Sequence, residues 1–235
     1  MNAARASLVA LLAFTALAAP SRAALRSPQV PVQGGTLQAY LNSVGEQINV
    51  LTEQNALQAL RPTVSNNSTF SIQIELSKAT DGHVLGMYNA SDAAPALYLV
   101  FPAVATDGWF AVASFRTSPV RVVVNLFDQN AAVVATTTYL GADRNSIGFY
   151  LQAPGGTFYS QDARNAAGAP QALVYAATGI NTGSLWWCWE DVAPSNGSDQ
   201  DFDDVVVFVD NLSSGCFGQC PVRSTSWGQL KRRFR

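Results

Sequence analysis

Hydrophobic and polar positions alternate most cleanly where Phe70, Ile72, Ile74 and Leu76 interleave with Ser71, Gln73, Glu75 and Ser77. A period of two sends successive side chains to opposite faces of a strand, so this stretch predicts a strand with one buried and one wetted face. Eight shorter segments rich in β-branched and aromatic residues repeat the signal: 96–101, 109–115, 121–127, 133–139, 146–152, 171–175, 185–189 and 205–211. Gly, Pro, Asn or Asp bound each of them, which is turn chemistry. Helical spacing occurs once, at Leu37, Tyr40, Leu41 and Val44, behind Thr36 as the expected cap. Strands without intervening helical patterns predict an all-β fold, an antiparallel, jelly-roll-like β-sandwich of about nine or ten strands with a short N-terminal helix.

The two ends of the chain depart from this pattern. Arg5, the apolar stretch from Leu8 to Ala18 and the small-x-small triplet Ser21-Arg22-Ala23 form an export signal over residues 1–23. That apolar stretch is too short for a membrane span and no later one is longer, so no transmembrane segment is expected. Residues 24–35 then form an extended lead-in, 36–212 the sandwich domain, and 213–235 a cysteine-containing linker with a basic tail. The tail, from Ser224 to Arg235, mixes Trp227 and Phe234 with Lys231, Arg232, Arg233 and Arg235. It fits either a solubilising end or a sorting signal that meets an anionic surface.

Charge narrows the function classes. The whole chain has 14 Lys and Arg against 16 Asp and Glu. Between Ala24 and Asp210, however, only 7 bases face all 16 acids, a net charge of −9. Nucleic acid binding rests on basic side chains meeting phosphates, so this body is unsuited to it. It suits cations. The three cysteines, Cys188, Cys216 and Cys220, give an exported protein one local disulfide, Cys216–Cys220, with Cys188 as a core thiol among tryptophans. Zinc would need further soft ligands, and His83 is the single histidine.

Seven of the 16 carboxylates crowd between Glu190 and Asp210, in Trp189-Glu190-Asp191 and then Asp199-Gln200-Asp201-Phe202-Asp203-Asp204. No Lys or Arg lies between Arg164 and Arg223 to neutralise them. Like charges at such density repel, and burial of an unpaired carboxylate costs several kcal/mol, so a compensating partner is required. Ca2+, which takes about six to eight oxygens, is the simplest one.

Several segments together resemble the bacterial family numbered 4114 among the domains of unknown function, which occurs in secreted and cell-surface proteins. The likeness rests on Val84-Leu85-Gly86-Met87-Tyr88-Asn89, Val100-Phe101-Pro102, Asn145-Ser146-Ile147-Gly148-Phe149-Tyr150-Leu151, Thr157-Phe158-Tyr159-Ser160 with Asn165, and Ala172-Leu173-Val174-Tyr175. Its most specific part is the acidic ending from Trp189 to Val206, and it spans about residues 36–210. The resemblance implies a β-sandwich and carries the family's acidic positions onto Glu190, Asp191, Asp199, Asp201, Asp203 and Asp204. Those positions have prompted suggestions of enzymatic activity in the family. Trp189 stands where Phe is common, and Ser198 where Gly is common, which changes the turn.

The acids admit three readings. In the first, Glu190, Asp191, Asp199, Asp201, Asp203 and Asp204 hold a structural Ca2+. The spacing of Asp199, Asp201 and Asp203 opens like a helix-loop-helix calcium loop, but Asp204 replaces the required Gly and 205–209 reads as strand, so the site would lie on a loop of the sandwich. In the second, the carboxylates cap turns. In the third, a pair of them hydrolyses glycosides, which requires carboxyls about 5 to 10 Å apart across a cleft. His83, in a turn, is expected to be a loop residue rather than a base. Trp186, Trp187 and Trp189 divide between core packing and sugar stacking, with at least one face in the core. The expectation is therefore a non-catalytic module, secreted or on the cell surface, that binds an extracellular glycan or a surface protein. The alternative is a carboxylate-dependent hydrolase of extracellular polysaccharide.

Overall fold

In the computed structural model, residues 24–62, 67–75 and 82–213 are described. The expected export signal, the expected Cys216–Cys220 disulfide, Leu76 and the basic tail lie outside them. One helix, α1 (Thr36–Ser43), precedes thirteen strands. These are β1 (Arg61–Pro62), β2 (Asn67–Glu75), β3 (Val84–Asn89), β4 (Leu97–Phe101), β5 (Phe110–Thr117), β6 (Val120–Phe127), β7 (Val133–Leu140), β8 (Ile147–Ala153), β9 (Gly156–Tyr159), β10 (Ala172–Ala176), β11 (Leu185–Trp189), β12 (Val205–Asp210) and β13 (Leu212–Ser213).

The strands form two antiparallel sheets, ordered β10-β11-β12-β2-β5-β6-β7 and β4-β3-β8-β9, with a small β1–β13 pair beside them. The expected all-β sandwich is therefore present. Its main core lies between the sheets, where Ala113, Val124, Val174, Trp187 and Val207 of the larger sheet meet Met87, Val100, Phe149 and Leu151 of the smaller one.

A second apolar layer covers the outer face of the larger sheet. Leu37 and Leu41 of α1, with Ile48 and Val50, pack on Leu173, Tyr175, Trp186, Cys188, Val206 and Phe208. Strands β10, β11 and β12 are thus buried on both faces, which explains why 171–175, 185–189 and 205–211 read as continuous apolar runs instead of alternating ones. The alternation survives in destination: Trp187 and Trp189 enter the inter-sheet core, while Trp186 and Cys188 enter the helix-covered layer. All three indoles are at most 2% exposed, so none offers a ring face to a sugar.

Two strands of the smaller sheet had no counterpart among the expected elements. β3 is buried on both faces, with Tyr88 outward against Tyr150 and Tyr159, so its sequence lacks alternation. Gly86 within it is required, because a Cβ there would lie 2.4 Å from the Tyr150 ring. β9 has four residues, too few for a pattern. The helix forms where expected, but its cap differs. Gly35, at φ 87°, occupies that place with no side-chain hydrogen bond. No helix among the described residues is long and apolar enough to cross a membrane.

Candidate metal centre

The acidic residues lie in the connection between β11 and β12, whose ends pair Trp189 with Val205. The excursion runs from residue 190 to 204, longer than the 192–197 loop implied by the sequence, and includes a 3-10 turn at Pro194–Asn196. Glu190 continues the face of Trp186 and Cys188, so its side chain emerges on the helix-covered side of the sheet. There it is 1% exposed and accepts two hydrogen bonds. The backbone N–H of Phe202 donates to Oε1 at 2.6 Å, and the Ser198 hydroxyl donates to Oε2. Ser198 thus contributes a donor. Its oxygen in turn accepts the Gln200 N–H at 3.1 Å.

The loop is held over the sheet by Phe202, whose ring is 1% exposed within the helix-covered layer. Phe202 and Gln200 both adopt left-handed backbone, at φ 57° and 58°. Each such non-glycine residue costs about 1–2 kcal/mol, which burial of a Phe side chain, about 1.5–3 kcal/mol, offsets in part. The lead-in adds a tie, as Gln33 N–H donates to the Gln200 carbonyl at 2.9 Å.

This loop brings carboxylate oxygens of Glu190, Asp199 and Asp201 within 4.8 Å of one another. Glu190 is buried, Asp201 half-buried and Asp199 exposed, so the group opens to solvent on one side. These three can hold a metal ion. Asp203 adjoins them. It is 4% exposed, its Oδ2 is buried without a hydrogen-bond partner, and its carboxyl feels the charges of Asp201, Asp199 and Glu190. An orphaned, buried carboxylate oxygen beside three other acids fits a cation in the loop.

Protonation equilibria report the crowding. Burial raises the Glu190 carboxyl above its usual range, the Ser198 and Phe202 hydrogen bonds pull it back, and Asp199 and Asp201 push it up again. Burial first, then Asp201, raises Asp203 to about 7. Burial also leads for Asp204, raised to about 8 against a lowering Asp191 backbone hydrogen bond, with the Asp191 charge next among the raising causes.

The six acids taken from the sequence divide into two groups. Asp191 and Asp204 form a second constellation, in which the Asp191 N–H donates to Asp204 Oδ2 at 2.8 Å. His83 completes it. It lies in a loop, as expected, yet is 6% exposed, and its Nε2 donates to Asp191 Oδ2 at 2.9 Å. A partner 108 positions away leaves no local signal in the sequence. Cys188 is a free, fully buried thiol, and burial first, then Asp203, raises its pKa.

Glu190 also lines an open groove of about 570 Å³, together with Arg26, Gln58 and Asp162. Asp162 is tied there, accepting Arg26 Nη1 and Gln58 Nε2, each at 2.7 Å.

No family model, curated protein or solved structure matches this chain.

Proposed function

We propose that this chain is a non-catalytic β-sandwich module of the cell exterior, exported by its N-terminal segment, whose acidic loop takes up Ca2+ and whose role is binding or surface structure. The observation that carries the cation is the convergence of Glu190, Asp199 and Asp201 oxygens within 4.8 Å beside the orphaned Asp203 Oδ2. An all-carboxylate set with no thiol or imidazole selects a hard cation over zinc. Three carboxylates converging from one loop favour Ca2+, with about six to eight ligands, over Mg2+, which usually keeps several waters and takes only one or two carboxylates. Binding would join the loop to the sheet and act as folding free energy in a calcium-rich exterior. The resemblance to family 4114, with its secreted members, is consistent with that setting.

The hydrolase of extracellular polysaccharide is the second reading, favoured by one observation: Glu190, raised towards the neutral acid form, lines the same groove as a second carboxylate, Asp162. Against it, Asp162 is neutralised by an ion pair with Arg26 and accepts a hydrogen bond from Gln58, which leaves it poorly placed as a base or nucleophile.

The test is the melting temperature in EDTA, Ca2+ and Mg2+. The reading expects an upward shift with Ca2+ that Asp201→Asn abolishes. No shift with either ion overturns the cation site. Turnover on a polysaccharide panel that vanishes with Glu190→Gln replaces the binding role with the hydrolase.

A further inference from the structure

Each sheet edge is a row of unpaired backbone groups that can template another strand unless something covers it. Of the four edges of the two larger sheets, three are at least partly bonded. At β10, Asn55 N–H donates to the Val174 carbonyl at 2.7 Å, and Gln54 bridges Tyr175. At β9, the Asn165 side chain accepts from Tyr159 N–H and donates to Tyr159 O, both at 2.8 Å. At β4, the Tyr139 hydroxyl meets the Leu99 backbone. The fourth edge is β7, and among the described residues nothing bonds to its outer side.

β7 also lacks the usual protection. It has eight residues, Val-Val-Ala-Thr-Thr-Thr-Tyr-Leu, with no charge and no proline, and only Tyr139 is even half-buried. Val133 is 64% exposed, Val134 48% and Leu140 71%. A strand wetted on both faces gains little from the core of its own chain, so its apolar residues call for a partner.

We propose that β7 pairs antiparallel with β7 of a second copy about a two-fold axis, joining the two larger sheets into one continuous sheet. Charge selects this occupant and orientation. A body of net charge −9 repels its copies, so contact must fall on an uncharged or complementary surface. β7 is uncharged, and its two ends differ in sign. Arg121 lies in register with Leu140, and Arg116 with Arg121, while Asp128 caps the turn before Val133 through Oδ1 to the Asn130 and Ala132 N–H groups. Antiparallel pairing sets the Asp128 end of each strand against the arginine end of the other. It also places Val133 opposite Leu140 and Thr136 opposite Thr137, and such pairs stabilise antiparallel ladders. A two-fold contact uses the same patch twice, as a self-complementary edge requires.

Sedimentation and hydrogen exchange of the full chain, from low to high micromolar concentration, with EDTA and with Ca2+, test this. The expected result is a doubling of mass with concentration and matching protection of amides in 133–140. Thr137→Lys, at an exposed position, should hold the protein at one chain and leave its melting temperature unchanged in dilute solution. High salt should weaken the dimer by screening the end-to-end charges. A single-chain mass throughout, or a dimer that Thr137→Lys leaves intact, overturns the proposal.

Discussion

Glu190 and Phe202 fasten the acidic loop at one point. The Glu190 carboxylate accepts the Phe202 backbone N–H at 2.6 Å, while the Phe202 ring is sealed beneath α1 in the layer shared with Leu37 and Leu41. The eleven residues between them return Asp199 and Asp201 to Glu190. The charge cluster and the apolar anchor are therefore one device. Packing energy from the ring holds like charges closer than they would settle in water, and a cation can relieve the repulsion that results.

Glu190→Gln separates the hydrogen bonds from the charge. The amide oxygen can still accept the Phe202 N–H, and the amide nitrogen can donate to the Ser198 hydroxyl. Stability in EDTA should change by no more than about 1 kcal/mol, because one repelling charge is lost with little loss of bonding. The melting shift caused by Ca2+ should disappear. A variant that keeps the full shift would place the ion elsewhere.

Phe202→Ala removes the anchor. Large-to-small changes of buried Phe cost about 3–5 kcal/mol, a substantial part of the roughly 5–15 kcal/mol that keeps a domain folded. Because the ring positions the loop, the variant should also bind Ca2+ more weakly, and hydrogen exchange should rise across 198–204. Unchanged calcium affinity, measured by titration calorimetry, would show that the carboxylates converge without the ring.

The sequence disclosed those parts of the molecule whose causes are local. β11 begins and ends at Leu185 and Trp189 as its composition indicated, and β6 at Val120 and Phe127 within one residue, since alternating or β-branched runs follow directly from the pleat. The acidic site was visible for the same reason, as Asp199, Asp201 and Asp203 are two apart in one segment. What escaped was non-local. β3 packs on both faces and so shows no period. The third member of the Asp191–Asp204 constellation, His83, arrives from 108 positions away. The capture of Phe202 by α1 likewise depends on a helix that precedes it by some 160 positions.

His83→Ala distinguishes the two constellations. Losing a buried hydrogen bond to a carboxylate costs about 1.5–3 kcal/mol, so the melting temperature should fall. Since His83 bonds Asp191, which is not one of the converging trio, the Ca2+-induced shift should persist at its full size. Loss of the shift would mean that Asp191 and the trio act as one site.

The pH dependence of stability follows from Asp203 and Asp204. Their folded pKa values, about 7 and about 8, lie above the roughly 3.9 of an unfolded Asp. A carboxyl raised by folding is held in its protonated form by the native state. Its contribution is fully present below the unfolded pKa and is lost as pH rises through the folded one. In EDTA the melting temperature should therefore decline from mildly acidic pH through about 8, against the usual expectation for carboxylates that fold into salt bridges. A bound cation reverses the sign, because it favours the ionised acids and must displace their protons to bind. With saturating Ca2+ the profile should flatten or rise over the same interval, so the gap between the two curves widens as pH increases. Parallel thermal melts across that interval, with EDTA and with Ca2+, check both parts. An EDTA profile that rises through pH 8 would mean that these carboxyls ionise in the fold at no cost, which the orphaned Asp203 oxygen speaks against.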